Sequence, residues 1–232
     1  MKKISVIIVD DERLAREELK RALATYADID ILEEAANADD ARLLIEKHNP
    51  QLIFLDVQMP EKSGFDLLEM LDAVPLVIFT TAFNQYAVKA FEADALDYLV
   101  KPIREERFAK AIDKVRDKLH ASPANRQIFI KDGNKCYFVK LAGVHLIESM
   151  DNYAVLYFDD KKAFLKRSLN QLEDKLDAAV FFRINRAQLI NTTFIKKVEQ
   201  LPGGKLNITL TTGLMLEASE RQSVKFRNKL KV

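Results

Sequence analysis

Short apolar runs alternate with amphipathic stretches along the first half of the chain. The runs cover residues 4–9, 29–32, 52–55, 76–79 and 96–100, each too short for a helix and each followed by a turn signal. Between and after them, residues 14–26, 38–47, 64–71, 85–93 and 104–119 carry apolar positions at helical spacing. Continuously apolar strands separated by helices predict an α/β fold with a parallel sheet covered on both faces and right-handed crossovers. In such a sheet, chemistry gathers at the carboxyl ends of the strands.

The pattern changes after residue 119. His120 to Asn125 is a run of small and turn-forming residues that reads as a linker. Beyond it come short strands at 127–131, 137–139, 145–149, 154–158, 163–165, 197–200, 206–211 and 214–218, with turns such as Asp132-Gly133-Asn134, Asp159-Asp160, Gly203-Gly204 and Thr212-Gly213. Two capping signatures interrupt them: Ser168 with Gln171 starts a helix reaching about residue 176, and Ser219 with Gln222 starts a final basic helix. The expected division is therefore a first domain over 1–119, a linker over 120–125 and a mainly-β domain over 126–232.

Charge sharpens that division. The 232 residues sum to a net charge of +1. Residues 1–118 nevertheless hold 17 Lys/Arg against 24 Asp/Glu, and residues 119–232 hold 19 against 11. An acidic half suits a metal-binding or protein-facing module, whereas a basic half suits a polyanion binder. The apolar run of MKKISVIIVDD is cut by two aspartates, too early for a signal peptide or a membrane span, so a cytoplasmic protein with no membrane partner is expected. The lone Cys136 and the scattered His48, His120 and His145 argue against a disulfide framework and a zinc site.

The candidate chemistry falls at the predicted strand ends. Asp10 and Asp11 close the first strand, Asp56 closes the third, Thr81 follows the fourth and Lys101 follows the fifth. Taken singly, each acid also suits a helix cap or a turn, Thr81 a strand end and Lys101 a solvated cation. Their joint placement on one sheet edge suits a hard divalent cation, with Asp56 as a nucleophile toward a phosphoryl group and Thr81 and Lys101 as its hydroxyl and ammonium partners.

Over residues 2 to about 118 the sequence resembles the receiver domain of bacterial two-component response regulators. The segments that carry this are Val9-Asp10-Asp11-Glu12, Leu55-Asp56-Val57-Gln58-Met59-Pro60 with Gly64, Thr81-Ala82, and Tyr98-Leu99-Val100-Lys101-Pro102. The resemblance implies a flavodoxin-like sheet of order 2-1-3-4-5 and phosphorylation of Asp56 by a sensor histidine kinase. It also implies Mg2+ held by Asp11, Asp56 and the backbone carbonyl of Gln58, with Asp10 assisting through water. Thr81 and Tyr98 would be the switch residues, Lys101 would pair with the phosphoryl group, and the Lys101–Pro102 peptide would be cis. The surface from Asn84-Gln85-Tyr86 through Asp97 and the following helix is expected to pair two phosphorylated chains as a homodimer, and Phe83 to slow hydrolysis of the phosphoryl group.

The basic half matches no helix-turn-helix, zinc-finger or basic-zipper spacing, so its residues alone leave DNA, RNA and an acidic protein open. It does resemble the LytTR DNA-binding domain. The matching segments are Leu146-Ile147-Glu148-Ser149 with Asn152-Tyr153, Arg167-Ser168-Leu169, Phe182-Arg183-Ile184-Asn185-Arg186 on to Asn191, Gly213-Leu214, and Ala218-Ser219-Glu220-Arg221. By that resemblance the domain has about ten strands and reads promoter repeats in double-stranded DNA with loops. Asn152, Tyr153, Arg186 and Arg221 would be its contacts, and Lys166, Lys196 and Lys197 would neutralise phosphates. Asn185 and Ala187 depart from the family's usual histidine and serine, so the preferred base sequence cannot be carried over.

Two other classes compete with this regulator, which would be no enzyme beyond assisting its own phosphoryl transfer. An aspartate-nucleophile phosphatase typically has a second aspartate two residues after the nucleophile, where this chain has Gln58. A receiver joined to a protein- or RNA-binding output is the other.

Overall fold

A computed structural model describes residues 3–82, 95–121, 127–133 and 135–230, with backbone alone at 120, 121 and 230. Phe83, the segment from Asn84 to Ala93 and most of the expected linker lie outside the described residues. The chain divides into two compact units, Met1–Lys140 and Leu141–Val232.

The first unit is built on strands β1 (Ile4–Val9), β2 (Ile29–Ala35), β3 (Leu52–Asp56), β4 (Leu76–Thr81) and β5 (Asp97–Val100). Its described helices are α1 (Arg13–Leu23), α2 (Ala38–His48), α3 (Gly64–Met70) and α4 (Glu105–Ala121). The strands form one parallel sheet of order β2-β1-β3-β4-β5, as the resemblance implies. Side chains alternate across it. Val6, Ile8, Phe54, Ile78 and Leu99 face α1 and α4 through Leu19, Leu23, Phe108 and Ile112. Ile7, Val9, Ile53, Leu55 and Phe79 face the opposite layer through Ala41, Ile45, Phe65 and Leu68.

That second layer holds more than helices. Strands β6 (Gln127–Asp132) and β7 (Lys135–Lys140) form a hairpin whose Phe129, Cys136 and Phe138 share the core of Phe65, Leu71, Val74 and Phe79. Phe129 lies 6.1 Å from Phe65 and 5.2 Å from Phe138, centroid to centroid. The Val74 N–H donates to the Gln127 carbonyl at 2.9 Å, the Gln127 side chain donates to the Pro75 carbonyl at 3.0 Å, and Lys131 pairs with Asp66 at 3.5 Å. The first compact unit therefore runs past the boundary expected at 120–125.

The second unit holds β8 (Val144–Met150), β9 (Tyr153–Phe158), β10 (Lys161–Leu165), β11 (Phe181–Arg183), β12 (Gln188–Asn191), β13 (Ile195–Gln200), β14 (Leu206–Leu210) and β15 (Met215–Ala218). A short α5 (Leu169–Glu173) and the basic α6 (Glu220–Leu230) complete it. The strands make an antiparallel sheet of order β10-β9-β8-β12-β11 and a smaller sheet β13-β14-β15. Leu146, Ile184, Ile190, Leu206, Ile208, Leu210 and Phe226 form the core between these sheets and α6. The Ser168–Gln171 capping box forms as expected. Strands β11 and β12 answer to no expected strand: β11 has three residues, and β12 carries only the adjacent apolar pair Leu189 and Ile190, so neither displays an alternation or a longer apolar run.

Candidate functional site

Parallel register brings the acidic site together. Asp56 ends β3 opposite Thr80, Thr81 ends β4 opposite Val100, and Asp10 and Lys101 immediately follow β1 and β5. Oxygens of Asp10, Asp11 and Asp56 all lie within 4.8 Å of one another. Asp10 and Thr81 are fully buried and Asp56 nearly so. The Lys101 ammonium sits 2.7 Å from Asp10, 3.7 Å from Asp56 and 3.7 Å from Glu12. Tyr98 is buried one strand over, level with Phe79, and its carbonyl accepts from Arg107 at 3.1 Å. The Lys101–Pro102 peptide is cis.

Burial pushes the Asp56 carboxyl up to about 7, with Lys101 opposing and Asp10 and Asp11 adding to the rise. Burial likewise raises Asp10, against its bond to Lys101. Burial also works against the Lys101 ammonium, but Asp10, Asp56 and Glu12 outweigh it and raise its pKa. Three converging carboxylates facing one ammonium are short of positive charge. Their oxygens are the donor set a hard divalent cation such as Mg2+ takes, so the residues present fit that ion.

Two neighbours fix this geometry. Arg16 donates from Nη1 to the carbonyls of Asp10 at 2.8 Å and Asp11 at 3.2 Å, holding the turn that presents both acids. Sequence reasoning missed Arg16, yet a signal exists: the first turn of α1 has no acid and contains Arg13 and Arg16, against the preference of a helix N-terminus for negative charge. Gly64 starts α3 and donates its N–H to the Val57 carbonyl at 3.0 Å. A Cβ there would lie 2.3 Å from the Asp56 carbonyl oxygen, so any side chain at 64 must displace the strand end that carries Asp56.

The second candidate region is an edge of the C-terminal unit. Asp151-Asn152 forms the β8–β9 turn, with Asp151 at φ 51°, and Tyr153 begins β9, 43% exposed. Arg186 is exposed in the turn between β11 and β12. The Ser149 N–H donates to the Ala187 carbonyl at 2.8 Å, laying that turn beside the Asn152 hairpin. The Ser219 N–H donates to the Ile184 carbonyl at 2.9 Å, bringing the start of α6 with exposed Arg221 alongside. Lys166 follows Leu165, which pairs with Ala154, and so stands level with Tyr153.

Lys196 and Lys197 are placed differently. They lie on β13, where Lys197 pairs with Thr209, whereas the α6 end of that sheet pairs Leu206 with Ala218. Lys197 also pairs with Glu199 at 2.8 Å. Arg183, not among the expected contacts, is structural: it bonds Glu173 at 2.8 Å and the carbonyls of Asn185 at 3.1 Å and Arg186 at 2.6 Å. Among the described residues, no acid pairs with Arg186 or Arg221, and no helix is long and apolar enough to cross a membrane.

Comparison with known proteins agrees with this architecture. Residues 6–113 match the response regulator receiver domain family and residues 134–231 match the LytTr DNA-binding domain family. The chain is 30% identical over 237 residues to the sensory transduction protein LytT of Enterococcus faecalis, covering 97% of this chain and 98% of LytT. It is 34% identical over 230 residues to the transcriptional regulatory protein BtsR of Escherichia coli K12, covering 94% and 95%. The solved response regulatory domain of protein mrkE from Klebsiella pneumoniae is 30% identical and superposes with a TM-score of 0.47, covering 51% of this chain and 99% of that one. An acidic site at the edge of a 2-1-3-4-5 sheet, followed by a mainly-β domain, thus agrees with both family matches, and the chain belongs to the response regulators that join a receiver domain to a LytTr DNA-binding domain.

Proposed function

We propose that Asp56 accepts a phosphoryl group from a sensor histidine kinase in the cytoplasm, and that this modification controls dimerisation and promoter binding by the C-terminal domain. The observation that carries this reading is the buried Asp56 oxygen within reach of Asp10, Asp11 and the Lys101 ammonium. An Asp56 oxygen forms a bond to phosphorus, the P–N bond to the donor histidine breaks, and the imidazole nitrogen leaves with that electron pair and a proton from solvent. Asp11, Asp56 and the Gln58 carbonyl would hold Mg2+, with Asp10 beside them, and the ion would neutralise charge on the transferred oxygens. Lys101 turns from Asp10 toward the new phosphoryl oxygens. Thr81 donates its hydroxyl to them, and Tyr98 changes rotamer as β4 shifts.

On this reading the receiver is residues 1–119 and the output domain 126–232, although the first hairpin of that span packs in the core of the first compact unit. The output contacts base edges and nearby phosphates through Asn152, Tyr153, Arg186 and Arg221, with Lys166 on the same edge and Lys196 and Lys197 as more distant phosphate partners. Phosphorylation is tested by incubating the full chain with acetyl phosphate and Mg2+ and measuring intact mass. The expected result is the addition of one phosphoryl group in the wild type, none in Asp56→Asn and none when the cation is chelated. Equal labelling of Asp56→Asn would place the acceptor elsewhere.

A further inference from the structure

The turn that carries Arg186 is fastened from inside the domain by the residue before it. We infer that Asn185 is a positioning residue, whose side-chain amide ties this turn to β12 and β15 and so presents Arg186 in fixed register with the helix bearing Arg221. The inference rests on the DNA-binding reading above and adds to it what sets the contact geometry.

Every bond the Asn185 amide makes is internal. Its Oδ1 accepts from the Ala187 N–H at 2.9 Å, and its Nδ2 donates to Gln188 Oε1 at 2.8 Å and to the Glu217 carbonyl at 3.1 Å. Both amide hydrogens are thereby used, and donating to a base edge would require breaking one of these bonds. Beyond Gln188 the chain of bonds has a fixed direction. Gln188 Nε2 donates to Glu148 Oε1 at 2.7 Å, so its Oε1 is left to face Asn185, which must donate. Glu148 is an acceptor from both sides, since it also bonds the Tyr157 hydroxyl.

Strand register places Glu148 opposite Gln188 and Tyr157 opposite Leu146, on the sheet face that packs on Ile208 and Phe226. The Arg186 turn is thus anchored through side chains to the interior strands of the larger sheet. The Glu217 carbonyl lies on β15 three residues before Glu220, where α6 and Arg221 begin. One amide therefore spans the two segments whose arginines are exposed and paired with no acid among the described residues.

The test compares full-length wild type, Asn185→Ala, Arg186→Ala and the double variant. Binding is measured to the duplex the wild type selects from a random pool and to a scrambled duplex. Asn185→Ala is expected to weaken binding to the selected duplex roughly tenfold, the scale of one or two lost hydrogen bonds. Affinity for the scrambled duplex and its salt dependence stay unchanged. Because Asn185 acts through Arg186, the double variant binds no more weakly than Arg186→Ala. An unchanged ratio of selected to scrambled binding overturns the inference, as do losses that multiply in the double variant, which would mean that Asn185 contacts DNA itself. If Asn185→Ala melts below the assay temperature, Gln188→Ala must show the same pattern. Independently of DNA, the Ala187 amide should exchange hydrogen faster in Asn185→Ala, and unchanged exchange contradicts the positioning role. A wild type that selects no duplex while that exchange still rises would end the DNA-binding reading and leave the positioning role standing.

Discussion

Burial raises the Asp56 carboxyl to about 7, so its ionisation opposes folding. A group whose folded pKa lies above its unfolded value loses its contribution as pH rises between the two. Without divalent cation, the first unit should therefore lose stability from about pH 4 to about pH 7. Asp56→Asn should lose less over that interval. Mg2+ should raise the melting temperature of the wild type at pH 8 much more than at pH 5, because protons compete with the cation for the same oxygens. Thermal melts at both pH values, with and without Mg2+, check this, and an equal gain at pH 5 and pH 8 would contradict it. Asp10, Asp11, Asp56, Thr81 and Lys101 were legible in the sequence because a parallel sheet delivers the ends of its strands to one edge. Gly64 was legible only as part of the receiver-like pattern, and Arg16 only as a cation out of place at a helix start; that each bonds a backbone carbonyl beside the acids required the folded turns.

Elements were legible where burial imposed a long enough pattern. The five receiver strands and α1–α4 follow their apolar periods, whereas β11 and β12 hold only two apolar residues each and show none. The partner of an element was less legible than its type. The alternation of Gln127–Asp132 and Lys135–Lys140 predicts a hairpin but says nothing about its packing on α3 and β4. That packing has a testable energy. Phe129 is 3% exposed among Phe65, Phe138 and their neighbours, so Phe129→Ala should cost about 3 kcal/mol or more. Its effect should appear as faster hydrogen exchange in α3 and β4, with β14 of the second unit unaffected. Unchanged protection over Gly64–Met70 would show that the hairpin contributes nothing to the first unit.

At the scale of the molecule, the charge asymmetry falls between the two functions. An acidic receiver gathers carboxylates around a cation site, and a basic output half is suited to a polyanion. The chain is legible as a regulator because both halves carry their own motifs. The base sequence it prefers is not legible, since Asn185 and Ala187 differ from the family's usual residues and base readout depends on side-chain placement within ångströms. Under the proposed function, the state of Asp56 is felt where the C-terminal domain meets DNA. The most direct measurement is the affinity of the full chain for its selected duplex, with and without beryllofluoride and Mg2+, in wild type and Asp56→Asn. The wild type should bind roughly tenfold more tightly when beryllofluoride is present, within the usual range of coupling between sites, and Asp56→Asn should not respond. Equal affinity in the wild type under both conditions, or an equal response in Asp56→Asn, would contradict the account.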